Sequence, residues 1–432
     1  MDLRPVVANC RTAERRLFAR DVVLTLLLVA TVVLAQILEP AGLVVFVGFV
    51  LACEVVYAEA VIATWGIVAR RFGRSSFAPP PTDDAVSPQV VRDLAAAQDG
   101  NVTVYCGFSP FVGAGLDAGG WSFALNATRG KETFGAPAAP QPFTLDELYR
   151  HVHEAIESLG LPGLSIEDRL FVEGRALGRE GRFLAGPGVR PTTAASPTII
   201  EEFLGGGAES VRHYKTVRVV GWGGELVLSI FLRFSMVQHN LFAESSYFLL
   251  PPVEEAFHEV DRLNARPTWS QRGKLVVETA CATPVRTLTA PFHVVRTLTG
   301  PLRRWLVARR VRREIKRDGA FDYGAPTSIR DAFKSPNFRQ YFQKLDREMC
   351  AKVIERELFD CIVGFLDARD IDTTDLKQRE STILNNGVIV NGGTIQAESM
   401  AVGERARAFV GQTIGRVGKS TPQGGEKGAS HG

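Results

Sequence analysis

A chain of 432 residues with 45% apolar and 22% charged residues has the composition of an ordinary globular protein, with room for two or three domains. Its six cysteines (Cys10, Cys53, Cys106, Cys281, Cys350, Cys361) show no CxxC pair and no metal-ligand spacing, which argues against a disulfide framework or zinc site and for a reducing compartment. The net charge is only +3 but uneven: residues 285–317 hold ten Lys or Arg and one acid, Glu314, so this stretch carries +9 and the remainder −6.

After an N-terminal segment, residues 1–21, the first predicted element is a transmembrane hairpin at 22–69. Residues 22–38 contain twelve Val, Leu or Ile and no charge, worth roughly −5 kcal/mol on insertion scales. Beyond Glu39-Pro40 a second apolar run carries Glu54 and Glu59, each opposing insertion by ~3 kcal/mol if ionised, so this helix relies on the first. Folding about Glu39-Pro40 sets Glu54 level with Thr25 and predicts a Thr25–Glu54 hydrogen bond across the pair; alternatively Glu54 simply lies near the headgroups. Arg4, Arg11, Arg15, Arg16 and Arg20 precede the hairpin and Arg70, Arg71 and Arg74 follow it, while its loop has none. That bias puts both ends in the cytoplasm of a plasma-membrane protein. Arg15-Arg16-Leu17-Phe18 loosely matches a twin-arginine export signal, but cleavage there would leave a second membrane segment.

Residues 70–90, with Pro79 to Pro81, read as a linker. Residues 91–280 read as an α+β domain. Period-two alternation marks strands at 102–106 and 121–125, and a hairpin runs from 214–220 through Gly223-Gly224 into 225–236, with Leu226, Leu228, Ile230, Leu232, Phe234 and Met236 on one buried face. Another strand is predicted at 241–250. Thr144 and Glu147 form a capping box before Leu145, Leu148, Val152, Ile156 and Leu159 at helical spacing, and a further helix is expected at 252–264.

Residues 281–320 form a basic segment. VRTLTAP at 285–291 recurs as VRTLTGP at 295–301, too few copies for a solenoid. In the helix that follows, Val307, Ala308, Val311 and Ile315 share one side, and Arg309, Arg310, Arg312, Arg313, Lys316 and Arg317 share the other. A membrane surface, nucleic acid or a solvated face would each suit it; anionic inner-leaflet lipids are the expected partner because a tethered domain meets them at high local concentration, and nucleic acid is not expected. Residues 321–380 read as helical, with Ser335-Pro336 as the expected start of a long amphipathic helix. At 381–410 short β-prone triplets alternate with Asn and Gly, which suits either a terminal hairpin or a segment, 381–408, that self-associates between chains. The tail at 411–432 is expected to be disordered.

Few residues invite a chemical role. Gly113 to Ala118 matches the letters of a dinucleotide fingerprint, but an apparent strand follows where a helix is required. His151, His153 and Glu154 lack the second histidine of a zinc helix, and Asp367, Asp370, Asp372 and Asp375 lack the glycine and final glutamate of a calcium loop. No catalytic residue, cofactor or metal is assigned.

Three runs, YCGFSPFVGAG from Tyr105, ELVLSIFLRFSMV from Glu225 and ILNNGVIVNGG from Ile383, resemble a family of actinobacterial-type membrane-anchored proteins of unknown function over most of residues 100–410. The resemblance implies an anchored architecture and carries over no catalytic residue; the last run is also similar to bacterial amyloid-signalling motifs. The expected fold class is α+β: a two-helix transmembrane hairpin, a cytoplasmic domain with a largely antiparallel sheet, and a helical C-terminal region ending in a β-prone segment. The expected function is a non-enzymatic interaction or scaffold protein at the membrane, the alternative a tethered enzyme with its site near the glycine-rich loop 107–120.

Overall fold

The computed structural model describes residues 3–73, 77, 88–133, 136–206, 209–263, 266–317 and 321–378. The expectations placed on 381–410 and 411–432, and on most of the linker, lie outside these residues. Helix α1 (Arg4–Ile37) opens with Pro5 in its first turn, where a missing N–H is harmless. The chain turns at Glu39-Pro40 into α2 (Ala41–Val61), which continues through a π-helical stretch, Ile62–Val68, into α3 (Ala69–Arg71). Two helical stretches, Pro5–Ile37 and Ala41–Arg71, are long and apolar enough to cross a membrane, and only 11% of the apolar window of each is buried within the protein. A core helix of a soluble protein would turn such side chains inward; here Leu26, Val29, Phe46 and Val47 point outward.

Helix α4 (Pro88–Asp99) leads into β1 (Val102–Tyr105), and a glycine-rich loop then reaches β2 (Leu116–Asn126). A short ribbon of β3 (Glu132–Thr133) and β4 (Ala136–Pro137) precedes α5 (Leu145–Ser158), whose Thr144–Glu147 capping box is present. The remaining strands are β5 (Leu164–Glu173), β6 (Val211–Gly221), β7 (Leu226–Val237) and β8 (Asn240–Leu250), with α6 (Pro197–Leu204) between the first two. The sheet order is β1-β5-β6-β7-β8-β2, antiparallel throughout except for the parallel β1–β5 edge.

Alternation along β7 divides the sheet. Leu226, Leu228, Ile230, Leu232 and Phe234 enter the main core, where Leu148, Val152 and Ile156 of α5 meet them together with Ile354, Leu358, Phe359 and Ile362 of a long C-terminal helix. Ser229, Phe231 and Arg233 alternate onto the opposite face. After Pro251-Pro252 the chain makes a 3-10 helix, Glu255–Arg262, where an ordinary helix is expected from the sequence.

Helix α7 (Trp269–Leu298) departs most from the sequence reading. It contains both copies of the VRTLT repeat up to Leu298, runs across the boundary expected at 280, and packs on α1 and α2 of the hairpin. Pro284 and Pro291 lie inside it, and Thr279, Thr283 and Thr289 donate to carbonyls one turn back, bonds that tie those hydroxyls to the helix itself. Helix α8 (Gly300–Arg317) follows, then the short α9 (Ile329–Ala332) and α10 (Tyr341–Asp367). The long helix begins at Tyr341, with Gln340 and Gln343 as its capping box, and not at Ser335-Pro336. Ser335 instead closes a turn, its hydroxyl accepting from the Asn337 amide while its own amide donates to the Pro252 carbonyl.

Candidate functional site

On the sheet face opposite α5, the loop between β1 and β2 lies down against the strands. Gly107, Gly113 and Gly115 take positive φ, and a Cβ on Gly115 would come within 2.6 Å of the Leu250 Cα, so only glycine permits this approach. Phe111 pins the loop: its ring stacks on Phe231 at 4.1 Å and meets Phe171 and Tyr214 edge-on at 5.2 Å. Strand β2 follows at once from Leu116, so the dinucleotide-like letters serve a strand connection rather than a helix N-terminus.

Beside this loop opens a cleft of about 550 Å³. Its floor is apolar, with Phe171, Phe231, Val227 and Leu250, and its polar groups are Thr103, Ser229 and three arginines, Arg169, Arg218 and Arg330. The sheet register assembles two of them. Thr103 pairs with Phe171 across β1–β5, and Glu167 with Thr216 across β5–β6, so Arg169 and Arg218 flank Glu167 on one face. Arg169 donates to Glu167 at 2.9 Å and to the Thr103 hydroxyl at 3.1 Å; Arg218 reaches Glu167 at 3.2 Å. Arg330 arrives from α9 and donates to the carbonyls of Glu225 at 2.9 Å and Pro251 at 2.6 Å, while its Nη1 is buried with no partner. Burial lowers the pKa of Arg218 and Arg330, opposed by Glu167 and by Glu225 and Asp331 respectively. No carboxylate, histidine or thiol lines the cleft, so it offers cationic forks and hydroxyls but no general base.

A second polar constellation lies on the core face. Asp168 of β5 accepts from Lys215 Nζ at 2.8 Å and lies 2.8 Å from His213 Nε2, both on β6 and both almost fully buried. The Tyr149 ring packs edge-on against His213, and its hydroxyl accepts from the Phe234 amide at 2.7 Å. These side chains join α5 to the sheet beneath it, which makes the group structural.

In the hairpin, Thr25 donates to the Asp21 carbonyl of its own helix at 2.7 Å and Glu54 lies exposed, so the expected Thr25–Glu54 bond is not made. The register that brings Arg20 within 3.7 Å of Glu59 does set Thr25 and Glu54 level, but on different faces. The polar contacts form one turn lower. Asp21, 5% exposed, meets Arg20 at 2.7 Å and His293 of α7 at 3.4 Å. Just above, Leu24, Ala52, Val56 and Ala290 form a closed apolar cluster, so the α7 segment at 290–293 docks where the long apolar run of α1 begins. On α8, Arg309, Arg310, Arg312 and Arg313 are exposed, as are Leu302, Trp305, Leu306 and Val307; the side chains of Lys316 and Arg317 lie outside the described residues. His151 and His153 stay apart: His151 packs on Phe365, and His153 faces Glu157 at 3.7 Å.

The sequence reading misses the arginine cleft. Arg218 sits at an outward position of a strand the sequence marks, but Arg169 lies on β5, for which the sequence predicts no strand at 164–169, and Arg330 is more than a hundred residues on, with no spacing rule to connect the three. An AbeC-like domain matches residues 120–396, from within β2 through α7, α8 and α10. No curated protein and no solved structure matches the chain.

Proposed function

The chain belongs to the AbeC-like domain family, and we propose that it acts as a membrane-anchored, non-enzymatic interaction protein. In this reading its main domain faces the cytoplasm, and α8 rests on anionic lipids of the inner leaflet. The contact of His293 with Asp21 carries the proposal. Asp21 immediately precedes the apolar run, and α8 starts seven residues after His293, only ~10 Å along a helix. Whatever direction α7 takes, the start of α8 stays close to the bilayer surface. Its exposed Leu302, Trp305, Leu306 and Val307 beside exposed arginines are the composition of an interfacial helix, to which each Lys or Arg near an anionic surface adds about 1 kcal/mol.

The residues that line the cleft give arginines and the hydroxyls of Thr103 and Ser229, with no carboxylate or histidine among them to activate a hydroxyl, a lining suited to binding. Self-association through 381–408 is a further part of the proposal. That segment lies outside the described residues, and the family match includes it as far as residue 396. A relation to actinobacterial-type anchored proteins and to amyloid-signalling motifs rests on the sequence runs alone.

The test places an environment-sensitive fluorophore on Leu306→Cys of the full-length protein, with the native cysteines replaced, in lipid nanodiscs. Anionic discs should shift its emission to the blue relative to zwitterionic discs, and Arg309, Arg310, Arg312 and Arg313→Gln together should abolish the difference. Emission indifferent to lipid charge in the unsubstituted protein refutes the proposed contact.

A further inference from the structure

We infer that the arginine-lined cleft beside the glycine loop binds a small soluble phosphate ester with an apolar body. Three observations converge there. The first is charge. Arg169 and Arg218 share the single carboxylate of Glu167, and the two acids nearest Arg330 have cations of their own: Glu225 meets Arg339 at 3.4 Å and Asp331 meets Lys334 at 2.7 Å. Three guanidinium groups thus line the cleft and no carboxylate lies among its lining residues, so the cleft presents positive charge, which suits the anionic head of a phosphate monoester near neutral pH.

The second is geometry. Arg169 and Arg218 rise side by side from β5 and β6 on one sheet face, and Arg330 reaches the same cleft from α9, so its donors come from more than one element. Planar donor forks presented around a point suit an oxyanion with several equivalent oxygens. Arg169 is already held by Glu167 and Thr103, and Arg330 by two carbonyls, so their side chains are positioned before any ligand arrives. Arg330 Nη1 is buried without a partner and so has a donor left to satisfy.

The third is shape. At about 550 Å³ the cleft falls within the ordinary range of small-molecule sites, with an apolar floor under a few oriented polar groups. Val112, Val220, Val227 and Val253, none of them fully buried, offer apolar surface to the ligand's body, and Gly113, Gly223 and Gly224, all at positive φ, bring backbone without side chains to its rim. A bare inorganic anion would leave that floor in water; a neutral aromatic would leave the arginines unmatched. The inference is independent of the lipid contact proposed for α8, because the residues involved are separate.

The experiment is calorimetric titration of the full-length protein in detergent with phenyl phosphate, benzoate and benzyl alcohol. Phenyl phosphate should bind saturably, benzoate more weakly, and benzyl alcohol not at all. Arg218 is the residue to change, since its one ion-pair partner is Glu167 and it holds no backbone in place. Arg218→Gln should weaken phenyl phosphate about tenfold with an unchanged melting temperature, and Arg218→Lys should recover part of the loss. No saturable binding of phenyl phosphate up to ~10 mM, equal affinity in Arg218→Gln, or benzoate binding as tightly as the ester overturns the inference.

Discussion

Asp168 meets the Lys215 ammonium and the His213 ring at once on the buried face of the sheet, and its ionisation is therefore tied to the fold. Burial alone would raise its pKa, but hydrogen bonds from His213 and Lys215, with the charge of Lys215, outweigh it and hold the carboxyl at about 2, against 3.8 for an unperturbed group. The stability this contributes is present above 3.8 and is lost as pH falls through 2. His213 is also lowered, by burial first, against the opposing pull of Asp168, so it stays neutral in the fold below 6.5, where the unfolded chain would take up a proton. Stability therefore begins to fall as pH drops below 6.5 and falls further between 3.8 and about 2. In thermal melts of the purified protein, His213→Gln should flatten the upper limb and leave the lower one; an unaltered slope just below 6.5 would assign that limb to other groups. Asp168→Asn leaves the Lys215 ammonium buried without its carboxylate and should destabilise by about 2–3 kcal/mol, the lower side of the usual penalty because Asp168 is itself partly exposed.

Elements whose pattern answers to one neighbour are the ones legible in the sequence. Strand β7 alternates strictly because one face meets α5 and α10, and α5 announces itself through its capping box and apolar spacing. Helix α7 gives no such signal: two prolines, several threonines and scattered charges blur its period, and what holds it is the surface of another element. The arginine cleft is hidden for a related reason, since pairing register, which a linear reading lacks, is what sets Arg169 beside Arg218. Helix contacts in the hairpin are equally specific. A Cβ on Gly48 would fall on the Thr31 side chain, 2.7 Å from its Cγ2. Gly48→Ala should therefore loosen α1 from α2 by about 1–3 kcal/mol, and Thr31→Ala in the same chain should recover most of the loss. A double-mutant cycle on detergent unfolding measures this, and strictly additive effects would show that the two positions do not touch. Likewise Ala290, fully buried against Leu24, Ala52 and Val56, has no room for Ala290→Phe. That change should lower the melting temperature of the protein in detergent, and an unchanged melting temperature would mean that α7 docks without this contact.

At the scale of the molecule, a hairpin whose arginines all lie at one end ties the remaining domains to that side. Arg4, Arg11, Arg15, Arg16 and Arg20 enter it and Arg70, Arg71 and Arg74 leave it, while the turn at Glu39-Pro40 carries none. A bilayer that retains basic ends in the cytoplasm would fix both together. The family match begins after the hairpin yet includes α7, which packs on α1 and α2, so the matched part of the chain returns to the hairpin as well as following it in sequence. Separating the rest of the chain from α1 and α2 thus requires breaking the contacts of Ala290 and His293 as well as cutting the linker. Cys10 offers a direct reading of sidedness, because it is exposed on α1 ahead of the apolar run. In cells expressing a variant that keeps Cys10 and no other cysteine, a membrane-impermeant maleimide should label the protein only after permeabilisation. Labelling in intact cells would turn the hairpin over, carry α8 to the opposite leaflet, and remove the anionic surface that its arginines are proposed to meet.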